Sequence, residues 1–187
     1  MSARVLACVV AVLVAPCAFA ADEENPFKKV KVGDYANYKM TNKIAGMTLE
    51  GTMTQTISAK TDKEVTVKVT GKVNGMDIPA QEQKIDLTKP YDPTKGGGAN
   101  LPGGGEIKAE KDKDGKEKVK VGGKEYDTTW TTYKVKIKVM DQEITGEMKT
   151  WMSKDVPMGM VKMVMTADFA GQKIEMTTEL KETGNKK

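Results

Sequence analysis

Apolar and polar residues alternate along much of the chain with a period of two, which is the pattern of β-strands with one buried face. Positions 47–57 show this most clearly: methionine, leucine, glycine and isoleucine take most odd numbers, and threonine or glutamate the even ones. Positions 65–73 repeat the pattern with valine. The two segments therefore predict a pair of antiparallel strands. The register that brings both apolar sets to one side pairs Ile57 with Val67 and Met53 with Gly71.

Turn residues separate the next strands. Asn74-Gly75 favours a two-residue type I′ hairpin, because both residues accept a positive φ. In the strand that follows, the apolar parity shifts and Pro79 interrupts the run, which predicts a bulge or an edge position. A second parity shift, between Trp130 and Tyr133, predicts a bulge near Thr131.

Further hairpins are predicted in the C-terminal half. A turn at Asp141-Gln142 would place Val139 opposite Ile144 and Val135 opposite Met148. Ala170-Gly171 would close the last hairpin. The pairs expected there are Ala167 with Ile174, Met165 with Met176, Val161 with Leu180, and Asp168 with Lys173 on the outer side.

The segment from Trp151 to Phe169 ends in the least polar strand predicted after residue 20. Alternation places Val161, Met163, Met165 and Ala167 on one face, and we interpret this face as the inner wall of the sheet. No segment after residue 20 has a helical period. The sequence predicts an all-β protein, an antiparallel up-and-down meander of about nine or ten strands. Such a sheet would form a strongly curved sheet or an open or half barrel.

The ends of the chain differ from this pattern. Residues 1–20 are predicted to be a cleaved signal peptide, with Arg4 before an apolar run and a small-x-small site at Ala18-Phe19-Ala20. The expected product begins at Ala21, is exported to the periplasm or outside the cell, and has no membrane span. Its predicted parts are a loose segment at 21–32, a single β domain at 33–181 with a long glycine- and proline-rich loop at 88–105, and a frayed tail at 182–187.

Composition narrows the chemistry. The chain has no histidine, and its 2 cysteines, Cys8 and Cys17, both lie in the predicted signal. Triad or cysteine catalysis and an ordinary zinc site therefore lack their residues. Arg4 is the single arginine, which disfavours nucleic-acid recognition although the net charge is +4. We expect no enzymatic activity, no catalytic residues, no cofactor and no metal.

Two glycine- and acid-rich segments have ordinary interpretations. The 88–105 loop lacks the Gly-Lys-Ser/Thr of a phosphate-binding loop, and a flap across one end of the sheet is expected instead. Glu110, Asp112 and Asp114 match early positions of a calcium loop. Val121 stands where the bidentate glutamate belongs, so a turn between strand ends is expected there.

Short segments of the chain resemble uncharacterised bacterial secreted proteins: VGDY at 32–35, GKEYDTTW at 123–130 and WMSKDVP at 151–157. The layout of a signal peptide, a long antiparallel meander and a late Trp-x-Ser-x-Asp-x-Pro turn is similar to the half-barrels of the lipoprotein-carrier (LolA/LolB-like) group. That resemblance implies a curved sheet able to hold a lipid. The helices that such carriers place over the open face have no counterpart in this pattern.

The predicted inner face is rich in methionine, a flexible and polarizable side chain that adapts to varied apolar shapes. One hypothesis is a cradle for a lipid or other apolar ligand; another is that these methionines only fill a core. A third is an envelope module that presents a sheet edge or the 88–105 loop to a protein partner. A fourth is Cu(I) binding by Met158, Met160, Met163 and Met165. The residues expected to line an apolar cradle are Met53, Val69, Val135, Met148, Met163, Met165 and Met176.

Overall fold

The computed structural model describes residues 25–44, 46–91, 106–139, 142–169 and 171–186. The predicted signal peptide and positions 92–105 of the predicted loop lie outside these residues. The described chain holds a short 3₁₀ helix and nine strands. The helix is Pro26–Lys28; the strands are β1 Asp34–Ile44, β2 Met47–Lys60, β3 Glu64–Val73, β4 Met76–Asp86, β5 Glu106–Val121, β6 Lys124–Val139, β7 Gln142–Met152, β8 Met160–Phe169 and β9 Gln172–Asn185.

All nine strands form one antiparallel sheet in the order β4-β3-β2-β1-β9-β8-β7-β6-β5. Strands consecutive in sequence are hydrogen-bonded neighbours except β4 and β5, which are the two edges, and β1 pairs with β9. This is the strand order of an up-and-down barrel that is open between β4 and β5. The structure thus confirms the predicted all-β antiparallel meander and its open-barrel form.

The hydrophobic pattern correctly predicted the registers of the β2–β3 and β8–β9 pairs. At the β3–β4 turn, Asn74 has φ 49° and Gly75 has φ 81°, as a type I′ turn requires. The β8–β9 pairing follows the predicted parity, with the charged pair on the opposite face from the methionines. The confirmed pairs are Ile57 with Val67, Met53 with Gly71, Ala167 with Ile174, Met165 with Met176, and Asp168 with Lys173.

The predicted register of β6 and β7 is wrong by two residues. Val139 pairs with Gln142, so Gln142 belongs to β7 and not to the turn. Val135 consequently lies opposite Gly146, and Met148 lies opposite Tyr133. A shift of two residues keeps every side chain on its face, so the hydrophobic pattern cannot distinguish the two registers.

The predicted bulge at Pro79 is present. Val69 pairs with Gln81 while Gly71 pairs with Ile78, which leaves one extra residue on β4, and β4 is also an edge strand. The bulge predicted near Thr131 in β6 is wrong, because β6 pairs with β7 without interruption. The irregularity lies on the partner strand β5, between Lys111 and Lys113.

Both ends of the β domain are held by contacts. The tail predicted to fray forms the end of β9, where residues 182–185 pair with the start of β1. The backbone N–H of Lys186 also donates to the Gly33 carbonyl at 2.8 Å. At the N-terminus, Phe27 and Val30 are buried in the hydrophobic core, so the end of the segment predicted to be loose is packed.

The inner face of the sheet is packed most extensively at one end, although Val135 and Ala167 are also buried near the other end on β6 and β8. The packed end is the end at which β2 leads into β3 and β7 leads into β8. The open end is the opposite one, with the turns between β1 and β2, between β3 and β4 and between β8 and β9. The largest side chains less than 2% exposed are Tyr38, Phe27, Ile57, Met158, Leu180, Val65, Val67, Val135, Val161 and Thr178. Most of these lie toward the packed end.

Candidate functional site

The residues predicted to line a cradle share one face of the sheet. Met148 lies opposite Met165, and Met165 lies opposite Met176, so three neighbouring strands contribute a continuous thioether row. Residues directly opposite each other in a sheet project to the same side. The remaining members join this face through the same pairing rule. Met163 lies opposite Thr178, and Val135 lies opposite Gly146. Met53 lies opposite Tyr38, which in turn lies opposite Leu180. Val69 lies opposite Gln55, two residues after Met53 on the same face of β2.

Burial along this face is uneven: on β9 it falls from Leu180 to Met176 toward the open end, whereas Val135 and Ala167 are buried near that end on β6 and β8. Met53, Val135 and Met148 are buried. Val69, Met163, Met165 and Met176 are half-buried. The face is therefore a core over part of its length and accessible over the rest.

Three exposed apolar residues of the same face are not among the predicted lining residues. Met47 is 62% exposed, Met76 is 70% exposed and Ile78 is 38% exposed. Met47 lies opposite Ile44, and Met76 lies opposite Val73, which places them at the rim of the open end. The alternation of apolar and polar residues identifies the face on which these residues lie. It does not predict their exposure, because exposure depends on how far the packed core extends along the strands. We call these three residues the apolar rim.

A depression of about 530 Å³ does not coincide with the methionine row. Most of its lining residues are charged or threonine, and the register places them on the outer face near the open end: Lys134, Lys136, Thr145, Glu147, Thr166, Asp168 and Lys173. Val135 is the predicted lining residue that also borders it. The methionine row is thus an accessible surface of the sheet and not the wall of this depression.

The outer face also carries an aromatic cluster. Trp130 on β6 lies directly opposite Trp151 on β7, and the Lys149 ammonium lies 4.4 Å and 4.5 Å from their ring centroids. Glu117 of β5 accepts hydrogen bonds from the Trp151 indole and from Lys149. The indole hydrogen bond and then Lys149 lower the pKa of the Glu117 carboxyl. These contacts link the edge strand β5 to β7, and the Lys149 ammonium lies against both rings.

The inner face offers little acid–base chemistry among the described residues. Tyr38 is fully buried, and burial raises the pKa of its phenol far above the usual value. Its hydroxyl donates to the Met160 carbonyl at 3.3 Å. No group of three or more Asp or Glu side chains in the described chain is arranged to hold a metal ion. Tyr38 is therefore a structural residue of the packed end.

The methionines of the Cu(I) hypothesis divide between two environments. Met158, with φ 64°, is 1% exposed in the β7–β8 connection, and Met160 is 6% exposed. Met163 and Met165 lie farther along β8 on the inner face. A register shift between Trp151 and Met152 separates the two groups. Cu(I) binding stays a prediction.

Comparisons with known proteins show the fold. No protein-family model matches the chain, and no curated protein matches it. A Bacteroides fragilis protein, described as predicted to be exported and to have a YmcC-like fold, has a TM-score of 0.57 at 10% identity, over 85% of this chain and 99% of that one. A predicted lipoprotein of Parabacteroides distasonis has a TM-score of 0.52 at 12% identity, over 82% of this chain and 96% of that one.

These two structures share the architecture with this chain, and at such identities they show the fold alone. The described part of the chain has no helix long and apolar enough to cross a bilayer. The resemblance to lipoprotein carriers stays a prediction.

Proposed function

We propose that the protein is exported and non-catalytic, and that it binds a lipid or another apolar ligand on the inner face at the open end. The observation that carries the proposal is the apolar rim. Met47 and Met76 are 62% and 70% exposed, on the face that forms the core at the packed end. Large contiguous apolar patches on the surface of a soluble protein mark interaction sites. Flexible thioethers suit a ligand of variable shape.

Several observations support the other parts of the proposal. The predicted signal peptide supports export, and the two fold neighbours are described as an exported protein and a lipoprotein. The lack of histidine, and of cysteine after residue 20, supports a non-catalytic role. The opening between β4 and β5 supports ligand entry from the side, because no backbone hydrogen bonds join these strands.

The first test is native mass spectrometry of the exported protein, followed by organic extraction of any bound molecule. A co-purifying mass that extracts as a lipid supports the proposal. A protein-sized bound mass supports instead the alternative of an interaction module. A ligand-free monomer that also fails to bind an added apolar fluorescent probe contradicts the proposal.

A pair of variants locates the binding face. Met165→Lys places a charge in the centre of the thioether row, so we expect loss of apolar probe binding. Because Met165 is only half-buried, the lysine stem can carry its ammonium toward solvent, and the protein should still fold. The control is Thr166→Lys on the opposite face, where the new lysine lies between Glu147 and Glu175. Equal binding by the two variants would place the ligand elsewhere.

A further inference from the structure

Asn42 is a polar residue in the apolar row of the open end. It lies directly opposite Met176 on β9 and Leu49 on β2, and Met40 and Ile44 flank it on the same face of β1. Its side chain is half-buried, yet its Oδ1 is out of contact with solvent and has no hydrogen-bond donor among the described residues. An acceptor oxygen thus lies unpaired among thioether and aliphatic side chains.

Buried amide oxygens are nearly always paired, because an unpaired one loses its hydrogen bonds to water without replacement. A leucine or methionine at this position would continue the apolar row without that cost. The described chain has one more such atom, Gln83 Oε1 on the edge strand β4. Gln83 lies opposite the fully buried Val67, so it belongs to the packed end. Asn42 Oδ1 is therefore the unpaired acceptor near the open end, and a ligand reaches it when a flexible neighbour such as Met176 moves aside.

We propose that the ligand of the inner face carries a hydroxyl group, and that this hydroxyl donates a hydrogen bond to Asn42 Oδ1. The ligand class is a long-chain alcohol or a hydroxylated acyl chain, with its hydrocarbon part along Met148, Met165 and Met176. This inference rests on the proposed function and adds chemical specificity to it. Asn42 is the residue that distinguishes a hydroxylated ligand from a plain hydrocarbon of the same length.

The test compares hexadecanol with hexadecyl methyl ether, which share the chain and the oxygen but differ in the donor. Each displaces an apolar fluorescent probe bound to the purified protein. We expect the wild type to bind the alcohol about tenfold more tightly than the ether, because one well-formed buried hydrogen bond changes the affinity by about that factor. Asn42→Leu should bind both compounds equally and should have a raised Tm, because the unpaired acceptor is gone.

Controls separate Asn42 from its surroundings. Met176→Leu changes the neighbour in the same row and should keep the preference for the alcohol. Gln83→Leu removes the other unpaired oxygen and should also keep it. Asn42→Met, which matches the neighbouring side chains in length, should lose it as Asn42→Leu does.

The outcomes are distinguishable. If wild-type protein binds neither compound nor the probe, the proposed function fails and this inference fails with it. If it binds alcohol and ether equally, apolar binding stands and the role of Asn42 is refuted. The assignment to Asn42 is also refuted if Gln83→Leu loses the preference for the alcohol while Asn42→Leu keeps it.

Discussion

Strand β9 runs from the open end to the packed end, so two substitutions on its inner face measure how burial changes along the molecule. Leu180 is 2% exposed, whereas Met176, four positions earlier, is half-buried. Leu180→Ala removes three buried carbons, worth about 2 kcal/mol in transfer free energy, and the cavity left behind adds roughly 1–2 kcal/mol. Met176→Ala should cost about 1 kcal/mol, because part of the side chain is already hydrated and solvent can fill the space.

Urea unfolding of the two variants and the wild type tests this difference. With an unchanged m value, the midpoint shift reports stability alone. In thermal unfolding, Leu180→Ala should lower the Tm by about 10 °C and Met176→Ala by about 3 °C. Equal losses of 3 kcal/mol or more would show that the inner face is one continuous core, which would refute both the packed and open ends and the cradle. A loss below about 1 kcal/mol in Leu180→Ala would refute the packed end itself.

Two further predictions concern the outer face and the β4 end. Gly115→Ala would place a Cβ 2.7 Å from the Trp130 ring. It should therefore displace that indole, lower the free energy of unfolding by about 1–2 kcal/mol and change the tryptophan fluorescence. In a Trp130→Ala background the same substitution should lower stability little, and an equal loss there would contradict the contact between Gly115 and Trp130. Hydrogen bonds from the Thr88 hydroxyl and backbone N–H, and then the Lys89 ammonium, lower the pKa of the Asp86 carboxyl to about 2. The small contribution of the ionised Asp86 carboxylate to stability is therefore present above about pH 4 and is lost as the pH falls toward 2. The Tm difference between wild type and Asp86→Asn should vanish over that range, and a difference that persists at pH 2 would contradict this origin.

The fold could be predicted from the sequence to the extent that one face of each strand is apolar. Alternation alone placed Met53, Met148, Met165 and Met176 on a single face, because any slip by one residue would expose the whole apolar set. Turn chemistry did the same for Asn74 and its hairpin, since only a few residue types accept positive φ at two successive positions.

Alternation could not predict the strand pairing where two alternative registers keep each side chain on the same face of the sheet. A two-residue slip between β6 and β7 preserves the faces, so parity could not reveal that Val135 lies opposite Gly146. The bulge that adjusts β6 lies on β5, whose charged sequence has little parity to disturb. The end of β9 has no apolar pattern, yet backbone hydrogen bonds to β1 order it.

By itself, the sequence determined the secondary structure class, the sidedness of the strands and the residue types available for chemistry, because these depend on local periodicity and composition. Only the tertiary structure decided how far the inner face is covered. Exposure of Met47 and Met76, and the unpaired oxygen of Asn42, depend on which strands pair and on where the sheet opens between β4 and β5. These are long-range properties of the sheet, and the alternation of residues within one strand carries no information about them.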